Sequence, residues 1–318
     1  MSQLSHGNVW IDGCFDFTHH GHAAAALQAK RTIPCDEEPR LICGVHNDRE
    51  IEFNKGANPV MAEEERYEHI ASLRWVNLMV KDAPYVTQPA VLDEFGCPFV
   101  VHGDDITRDA HGNDCYQEMK DLGRFKVVKR TIGVSTTDII HRILTNQSAP
   151  AESPLADVQT LELFATAANG FAPWCWVFDG DLSQAVVKGG FHIRETDSVY
   201  VEGDFDLFNA GHIERLQKVL TLYPGHRVVV GVQQTTPGEI YMSYKERVLS
   251  VLSCKYVDAV VVNPSSNLSA AFTQSLNILD SHLCGKRFHY LSKNRIIARI
   301  AAERDRYIQR NKKKGVVL

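Results

Sequence analysis

Two histidines, His19 and His22, stand where an apolar segment gives way to a run of helix-forming residues. The apolar run Val9–Ile11 predicts a β-strand, and the alanine-rich run after the second histidine predicts an α-helix. In such a unit, the first helical N–H groups and the positive end of the helix dipole face the loop and favour an anion. Gly13 and Gly21 would let the backbone approach a ligand closely. Two imidazoles over such a pocket predict chemistry on a phosphate.

The loop that holds these histidines indicates how the reaction would be assisted. When a nucleophile attacks the α-phosphate of a nucleotide, negative charge builds up on the non-bridging oxygens. Fixed donors aimed at those oxygens stabilise the transition state more than the ground state. We therefore interpret His19 and His22, with Cys14 and Phe15 in the same loop, as an anion site rather than as nucleophiles. Solvated loop histidines are the alternative, and the place of the motif between strand and helix favours function.

Two further segments carry charge that chemistry on a phosphate would need. Lys55 precedes Gly56, and its ammonium group could contact a substrate phosphate. A solvated loop lysine is the alternative. The segment His102–Asp105 reads His-Gly-Asp-Asp and follows an apolar run. Asp104 and Asp105 could accept from an amino group or hold Mg²⁺ through water, and a simple turn is the alternative.

The last motif, Arg-Thr-Ile-Gly-Val-Ser-Thr-Thr, spans Arg130–Thr137. It precedes a predicted helix over Thr136–Leu144. Hydroxyl groups and free N–H groups at a helix start, with an arginine before them, would form a second anion site suited to a β,γ-diphosphate. An ordinary Ser/Thr cap is the alternative, although a cap alone requires a single hydroxyl.

Strand-like and helix-like segments alternate through the first half of the chain. Strands are predicted over Arg40–His46, Phe99–Gly103 and Phe125–Arg130, and a helix over Ala62–Val76. This alternation predicts the α/β class with a Rossmann-like, doubly wound parallel sheet. Such sheets bind ligands beyond the carboxyl ends of their strands, where each of the motifs falls.

The opening motif returns in the second half of the chain. Tyr200–His212 aligns with Trp10–His22 without a gap, and the repeat continues through Lys245-Glu-Arg-Val. Asn209 replaces the first histidine, and no Lys-Gly pair or Arg-Thr motif follows. Repeated order argues for two copies of one domain, the second degenerate and retained as a scaffold that packs on the first.

Composition shifts give the domain limits. We predict a catalytic domain over 1–146, a linker region over 147–198 that begins polar and proline-bearing, and a degenerate domain over 199–318. Within the linker region only Val158–Ala168 has a helical pattern.

The composition indicates which kinds of partner the protein can bind and in which compartment it is expected. The 318 residues carry a formal net charge of −5, which gives no basic footprint for nucleic acid. No secretory signal or apolar run of membrane-spanning length is visible, so we expect a cytoplasmic protein without stable membrane insertion. The eight cysteines form no CxxC pair, which favours reduced thiols and argues against a zinc site.

Taken in order, these motifs resemble the CTP:phosphoethanolamine cytidylyltransferase family of the HxGH nucleotidyltransferase superfamily. The resemblance covers nearly the whole chain and is strongest over residues 9–143. It implies two partners, CTP and phosphoethanolamine, which yield CDP-ethanolamine and pyrophosphate with Mg²⁺ as cofactor. Phosphocholine cytidylyltransferases share the first and last motifs but have one catalytic domain and a long amphipathic helix.

The resemblance also implies roles for individual residues. His19 and His22 would contact the CTP phosphates, and Lys55 would lie between the phosphates of the two substrates. The residues implied to bind CTP are Gly13, Cys14, Phe15, His19, His22, Lys55, His102, Gly103, Asp104, Asp105, Arg130, Ser135, Thr136 and Thr137. A phosphocholine or glycerol 3-phosphate cytidylyltransferase, or a CTP-sensing regulator without turnover, is the alternative. A homodimer and the residues that bind the ethanolamine ammonium stay open.

Overall fold

The computed structural model of the chain describes residues 7–149, 155–234 and 239–313. The chain forms two compact units. The first runs to Val134 and includes the short stretch Ala168–Phe171, and the second contains Ser135–Ala167 and the chain from Ala172 onward.

The first unit contains alternating strands and helices, as expected. Its strands are β1 (Asn8–Gly13), β2 (Arg40–Val45), β3 (Val76–Lys81), β4 (Val100–Gly103) and β5 (Phe125–Val128). Its helices are α1 (His20–Lys30), α2 (Asp48–Lys55), α3 (Glu63–Ser72), α4 (Pro89–Glu94) and α5 (Gln117–Asp121), with a 3₁₀ turn at Cys35–Glu37.

The strands of the first unit form one parallel sheet in the order β3-β2-β1-β4-β5. The order reverses direction at β1, so the loops after β1 and β4 lie side by side at the carboxyl edge. A doubly wound sheet binds ligands at such a switch point. The predicted parallel, doubly wound fold is therefore confirmed, and it places the loop of His19 at the expected edge.

The second unit repeats this plan. Its strands are β6 (Trp176–Asp179), β7 (Ala185–Val187), β8 (Ser198–Gly203), β9 (Arg227–Val232), β10 (Ala259–Val262) and β11 (Gln274–Asn277). Its helices are α6 (Thr136–Leu144), α7 (Val158–Phe164), α8 (Ala210–Leu222), α9 (Tyr244–Leu252), α10 (Leu268–Ala271), α11 (Lys293–Ala302) and α12 (Arg304–Lys313). Short 3₁₀ turns lie at Glu195–Asp197 and Ser281–Leu283.

The strand order of the second sheet is β11-β8-β9-β10-β6-β7. Read from β10 to β11, it reproduces the order β3-β2-β1-β4 of the first sheet, with β8 in the place of β1. All neighbours pair in parallel except β6 and β7. The two sheets confirm tandem copies of one α/β plan, and the second copy adds two strands at its edge.

The added strands come from the region that we interpret as a linker. Residues 147–198 contain α7 and both β6 and β7, and β6 pairs with β10 over Trp176–Asp179. The helix predicted over Val158–Ala168 ends at Phe164, and a turn follows. These strands are short and lie among glycine and tryptophan residues, which hides their period. The predicted limits of the two domains stay predictions.

The boundaries of the other elements follow the sequence patterns closely. The helix predicted over Thr136–Leu144 has those limits, and the strand expected over Arg40–His46 ends one residue earlier. The helix expected over Ala62–Val76 ends at Ser72, because Val76 already begins the edge strand β3. In the described ranges, no helix combines the length and the apolar character needed to cross a membrane.

Both sheets pack an aromatic ring of one strand against a glycine of the neighbouring strand. Trp10 on β1 is fully buried and lies over Gly44 of the neighbouring β2. Tyr200 on β8 is fully buried and lies over Gly231 of β9. A Cβ atom at either glycine would overlap the ring, so this glycine is a packing requirement of each sheet.

Gly44→Ala should therefore destabilise the first unit. A Cβ there would overlap the indole of Trp10 and stand 2.8 Å from the Cβ of Ala83. Overpacking of this kind costs about 1–3 kcal/mol of unfolding free energy. Urea unfolding followed by fluorescence measures the change. A free energy within about 0.5 kcal/mol of the wild type would contradict this packing.

Candidate active site

The two motif histidines lie at the N-terminus of α1, directly beyond the carboxyl end of β1. Gly13 ends the strand, and the loop that follows uses left-handed backbone at Phe15 and Phe17, with φ of 48° and 53°. The ring of Phe15 is buried and lies edge-on to His22, 5.6 Å between centroids. The loop therefore reverses direction before α1, and both imidazoles lie at the N-terminus of that helix.

Each histidine accepts a hydrogen bond from the backbone through its Nδ1 atom. Nδ1 of His19 accepts from the N–H of Gly21 at 3.1 Å, and Nδ1 of His22 accepts from the N–H of His19 at 3.4 Å. The rings stack with centroids 4.1 Å apart. A neutral imidazole whose Nδ1 accepts carries its proton on Nε2. The capping bonds thus assign a tautomer in which each ring has one remaining donor, Nε2–H.

Both rings are neutral at physiological pH. Burial lowers the pKa of His22 to about 4, and the positive charges of Lys55 and Arg130 act in the same direction. Burial also lowers the pKa of His19 well below its usual value, with His22 as the next cause. The pair can therefore offer two uncharged N–H donors to an anion while each Nδ1 keeps its bond to the backbone.

Gly21 is required between the histidines for a steric reason. A Cβ atom there would stand 2.9 Å from the Cε1 and Nδ1 atoms of His19 and 2.9 Å from a methyl group of Val134. A larger residue would push the first imidazole away from the N–H group that it caps. The glycine of the His-x-Gly-His motif therefore serves close packing of the ring.

The buried side chain of Arg66 fixes the loop between β1 and α1. Nη1 of Arg66 donates to the carbonyl of Cys14 at 2.6 Å, and Nε donates to the carbonyl of Met61 at 3.0 Å. The same guanidinium pairs with Asp48 at 2.8 Å. Asp16 accepts from the N–H of Met61 at 3.0 Å. Arg66 thus has the structural role that its place in a helix favours, and it fixes the backbone at Cys14.

Lys55 is the last residue of α2 and is exposed. Gly56 ends that helix in the left-handed conformation, with φ of 66°. The lysine and Arg130 both act on the pKa of His22, so two cations lie within electrostatic range of the imidazoles. Asn54, next to the lysine, accepts from the N–H of Ala110 at 3.0 Å and ties α2 to the loop after β4.

The His-Gly-Asp-Asp segment lies at the end of β4, which neighbours β1. His102 and Gly103 are the last residues of the strand, and Asp104 and Asp105 follow it with exposed side chains. The His102 ring lies against Tyr116, 4.6 Å between centroids. The segment therefore reaches the same edge of the sheet as the histidine loop.

Sequence patterns did not single out the buried carboxylate of Asp12 as a centre of hydrogen bonding. It accepts from Trp10 Nε1 at 2.7 Å, from Thr87 Oγ1 at 2.5 Å and from the Tyr116 hydroxyl at 2.6 Å. Burial, followed by the charge of Asp12, raises the pKa of Tyr116, so the phenol stays a donor. Asp12 stood in the opening motif, but two of its three donors, Thr87 and Tyr116, lie far along the chain and left no local pattern.

The Arg-Thr motif is divided between the two units. Arg130 belongs to the first unit, where it is exposed, and Ser135 opens the second. Ser135 is the N-cap of α6: its Oγ accepts from the N–H of Asp138 at 3.1 Å. Thr137 is buried in the first turn. The first unit thus brings together His19, His22, Lys55 and Arg130, and substrate binding by any of these residues stays a prediction.

In the second unit, the side chain that replaces the first histidine forms its hydrogen bonds within its own loop and helix. Asn209 is 1% exposed, its Oδ1 accepts from the N–H of Gly211 at 2.8 Å, and its Nδ2 donates to the carbonyl of Leu207 at 2.8 Å. One of its two amide N–H groups is therefore used inside the loop, and the side chain is almost fully buried. His212 keeps the capping bond to the N–H of Asn209 at 3.3 Å and stacks on Phe208.

Two charged side chains also fill this second loop region. Glu214 on α8 accepts from three successive backbone N–H groups, those of Lys286, Arg287 and Phe288, at 2.8–2.9 Å. Lys293 lies 3.4 Å from the carboxylates of both Asp204 and Asp206. The first unit has alanine at position 24, which corresponds to Glu214, and Cys14 where the second has an aspartate. Internal ion pairs and hydrogen bonds thus replace an anion site.

Comparison with known proteins agrees with the repeat. The family model described as Cytidylyltransferase-like matches residues 10–142 and 200–302, which covers both copies. The chain belongs to the cytidylyltransferase-like family. In this cytidylyltransferase-like chain, the first matched segment begins at Trp10 on β1 and includes the His-x-Gly-His motif.

Three relatives show how far the similarity extends. The ethanolamine-phosphate cytidylyltransferase of Saccharomyces cerevisiae is 49% identical over 98% of this chain and 98% of its own length. The ethanolamine-phosphate cytidylyltransferase of Mus musculus is 36% identical over 82% of this chain and 71% of its own. Choline-phosphate cytidylyltransferase A of Mus musculus is 40% identical over 46% of this chain and 39% of its own. Similarity to the proteins with the ethanolamine name therefore extends over both copies.

The low pKa of His22 predicts acid destabilisation of this cytidylyltransferase-like protein. An unfolded histidine binds a proton below about pH 6.5, whereas His22 in the folded state does so only near its pKa of about 4. The unfolded state binds more protons between these values, so the unfolding free energy falls as the pH drops. We expect a loss on the order of 2 kcal/mol for this residue between pH 7 and pH 5. His22→Asn should lose correspondingly less in urea unfolding at the two pH values, and an unchanged dependence would contradict this.

The two copies provide a matched pair of variants. His22→Ala should lower kcat by about 10²–10³, because one preorganised donor is lost, with little change in folding. His212→Ala should leave kcat near that of the wild type, because its loop offers no anion site. Steady-state kinetics and thermal unfolding of the two variants decide the matter. A His212→Ala enzyme as inactive as His22→Ala would assign chemistry to the second copy.

Proposed function

We propose that this protein transfers the cytidylyl group of CTP to phosphoethanolamine, which gives CDP-ethanolamine and pyrophosphate for phosphatidylethanolamine synthesis. The observation that carries the chemistry is the pair of neutral imidazoles, His19 and His22, with Nδ1 committed to the backbone. The similarity to ethanolamine-phosphate cytidylyltransferases over both copies supports the choice of acceptor. We place the reaction in the cytoplasm.

The reaction needs little proton transfer. A phosphate oxygen of phosphoethanolamine attacks the α-phosphorus of CTP, and the bond from that phosphorus to the bridging oxygen breaks, so pyrophosphate leaves with the electron pair. A phosphomonoester with a second pKa near 6 is largely dianionic at pH 7 and needs no general base. Charge develops on the α-phosphate oxygens, where two fixed N–H donors stabilise the transition state. Neutral histidines suit this role, because each Nδ1 can accept from the backbone while Nε2–H donates to the phosphate.

Cations surround the reacting phosphates in this proposal. Lys55 would place its ammonium group between the phosphate of the acceptor and those of CTP, and its exposed place at the end of α2 leaves it free to reach them. Arg130, with Ser135 to Thr137 at the start of α6, would hold the β- and γ-phosphates and the base. A compact ammonium suits a shared position between two phosphates because it donates in several directions.

Magnesium would accompany the triphosphate. Mg²⁺ commonly takes one or two carboxylates together with substrate phosphates and water. The exposed carboxylates of Asp104 and Asp105, which follow β4 at the carboxyl edge of the sheet, are of the type that such a site uses. When bound, the ion would neutralise charge on the β- and γ-phosphates. The two aspartates would otherwise contact the cytidine end of CTP.

The test compares three acceptors at fixed CTP and Mg²⁺: phosphoethanolamine, phosphocholine and glycerol 3-phosphate. We expect CDP-ethanolamine and an equal amount of pyrophosphate, with kcat/KM highest for phosphoethanolamine. The similarity of the first copy to a choline-phosphate cytidylyltransferase makes phosphocholine the second candidate. A higher kcat/KM for phosphocholine or glycerol 3-phosphate would reassign the acceptor. Binding of CTP without pyrophosphate release for any acceptor would make the protein a nucleotide sensor.

Lys55→Ala tests the bridging role. Loss of the ammonium should reduce kcat/KM for both substrates, by about 10² or more. Lys55→Arg should recover little activity, because a planar guanidinium does not replace a point charge shared by two phosphates. Lys126→Ala, which removes an exposed lysine on β5, is the control and should leave both values near the wild type. Wild-type kinetics for Lys55→Ala would make it a solvated surface lysine.

A further inference from the structure

The Arg-Thr motif crosses the boundary between the two units. Arg130 lies in the first unit, while Ser135, Thr136 and Thr137 lie in the second, at the N-terminus of α6. The hydroxyl end of the motif is therefore placed by whatever fixes α6. The contacts of this helix within the second unit identify the residues responsible.

The main contact is a bidentate ion pair on the side of α6. Arg142 donates from Nη1 to Oε2 of Glu246 and from Nη2 to Oε1, each at 2.8 Å. The two side chains are only 14% and 6% exposed. A pair with two parallel hydrogen bonds has a defined geometry, and loss of one buried partner leaves the other charge uncompensated. This pair therefore fixes the rotation and height of α6 against α9.

Glu246 is itself held firmly by the second copy. Its Oε2 accepts from the N–H of Ser243 at 2.6 Å and closes a capping box at the start of α9. The preceding segment is fixed by Asp206, whose carboxylate accepts from the N–H groups of Tyr241 and Met242 at 3.0 and 2.8 Å. Asp206 is a residue that the degenerate motif retains. Its retention thus has a reason: it supports the segment that carries the partner of Arg142.

Further contacts hold α6 along its length. Within the helix, Nε of Arg142 lies 3.4 Å from the carbonyl of Asp138, the residue that bonds with Ser135 at the cap, so the ion pair is linked to the helix start. Arg304 donates to the carbonyl of Leu144 at the C-terminus at 2.7 Å. The buried Asn311 of α12 lies 3.5 Å from the carbonyl of Thr137. The start, the middle and the end of the helix are thus all attached to residues of the second copy or to α12.

From these contacts we propose that Arg142 and Glu246 are positioning residues for CTP. Through this pair the second copy, whose loop has Asn209 in place of the first histidine, sets the place of the hydroxyls at Ser135, Thr136 and Thr137. The inference rests on the proposed function for the assignment of these hydroxyls to the triphosphate. It explains why a degenerate copy keeps the capping box and buried aspartate of its fold.

The test uses the full chain with Arg142→Met and, separately, Glu246→Gln. Methionine keeps most of the volume of the arginine stem, and glutamine keeps an acceptor for the N–H of Ser243. We expect the KM for CTP to rise about ten-fold in each variant, because the hydroxyls are displaced, while the KM for phosphoethanolamine stays near the wild-type value. Arg142→Lys should recover only part of the loss, because it cannot bind both oxygens in parallel.

Arg227→Met is the matched control, since it removes another ion pair of the second copy, with Asp258 at 3.1 Å, that does not contact α6. It should lower stability without changing the KM for CTP. The double variant Arg142→Met/Glu246→Gln should bind CTP no more weakly than Arg142→Met alone, which shows that the residues act as one pair. Wild-type KM values for CTP in both single variants, or an equal change in Arg227→Met, would overturn the proposal.

Direct CTP binding separates this inference from the proposed function. Equilibrium dialysis with labelled CTP reports the Kd whether or not phosphoethanolamine is the acceptor. A wild-type protein that binds CTP without forming CDP-ethanolamine would refute the proposed acceptor. In that case a weaker Kd in Arg142→Met and Glu246→Gln would still support positioning, and an unchanged Kd would refute it.

Discussion

The first backbone N–H groups of α1 determine how this site is built. They would lack partners at a helix start, and the nearby imidazoles satisfy two of the N–H groups in this loop through Nδ1. That single arrangement fixes the rings, selects the tautomer and leaves Nε2–H for another partner. It also requires Gly21, because the ring of His19 lies against that residue. The buried clamp of Arg66 then holds the loop so that the capping geometry persists.

The same constraint has a different outcome in the second copy. Asn209 caps α8 as His19 caps α1, so the strand, loop and helix keep their form. The amide of Asn209 uses its oxygen for Gly211 and one of its two N–H groups for Leu207, and its side chain is almost fully buried, whereas the imidazole of His19 keeps an Nε2–H donor. Fold and chemistry therefore depend on different atoms of one side chain. Capping alone maintains the fold, which is why the copy could lose its chemistry without losing its architecture.

What the sequence reveals depends on how far apart the partners lie. The strand-loop-helix unit, the parallel sheet and the repeat follow from residues that are close together or periodic, and these were predicted. The bonds of Tyr116 to Asp12 and of Arg142 to Glu246 each join residues 104 positions apart. No pattern of neighbouring residues in the sequence could therefore predict them. The strands β6 and β7 were missed because they are short and belong to a sheet whose other members come later in the chain.

The carboxylate of Glu214 acts on its three N–H groups as a bound anion would. Because Glu214 belongs to the same chain, it meets these N–H groups at an effective concentration on the order of millimolar or higher. A dissolved anion must compete with this tethered carboxylate. The second copy carries its own permanent ligand.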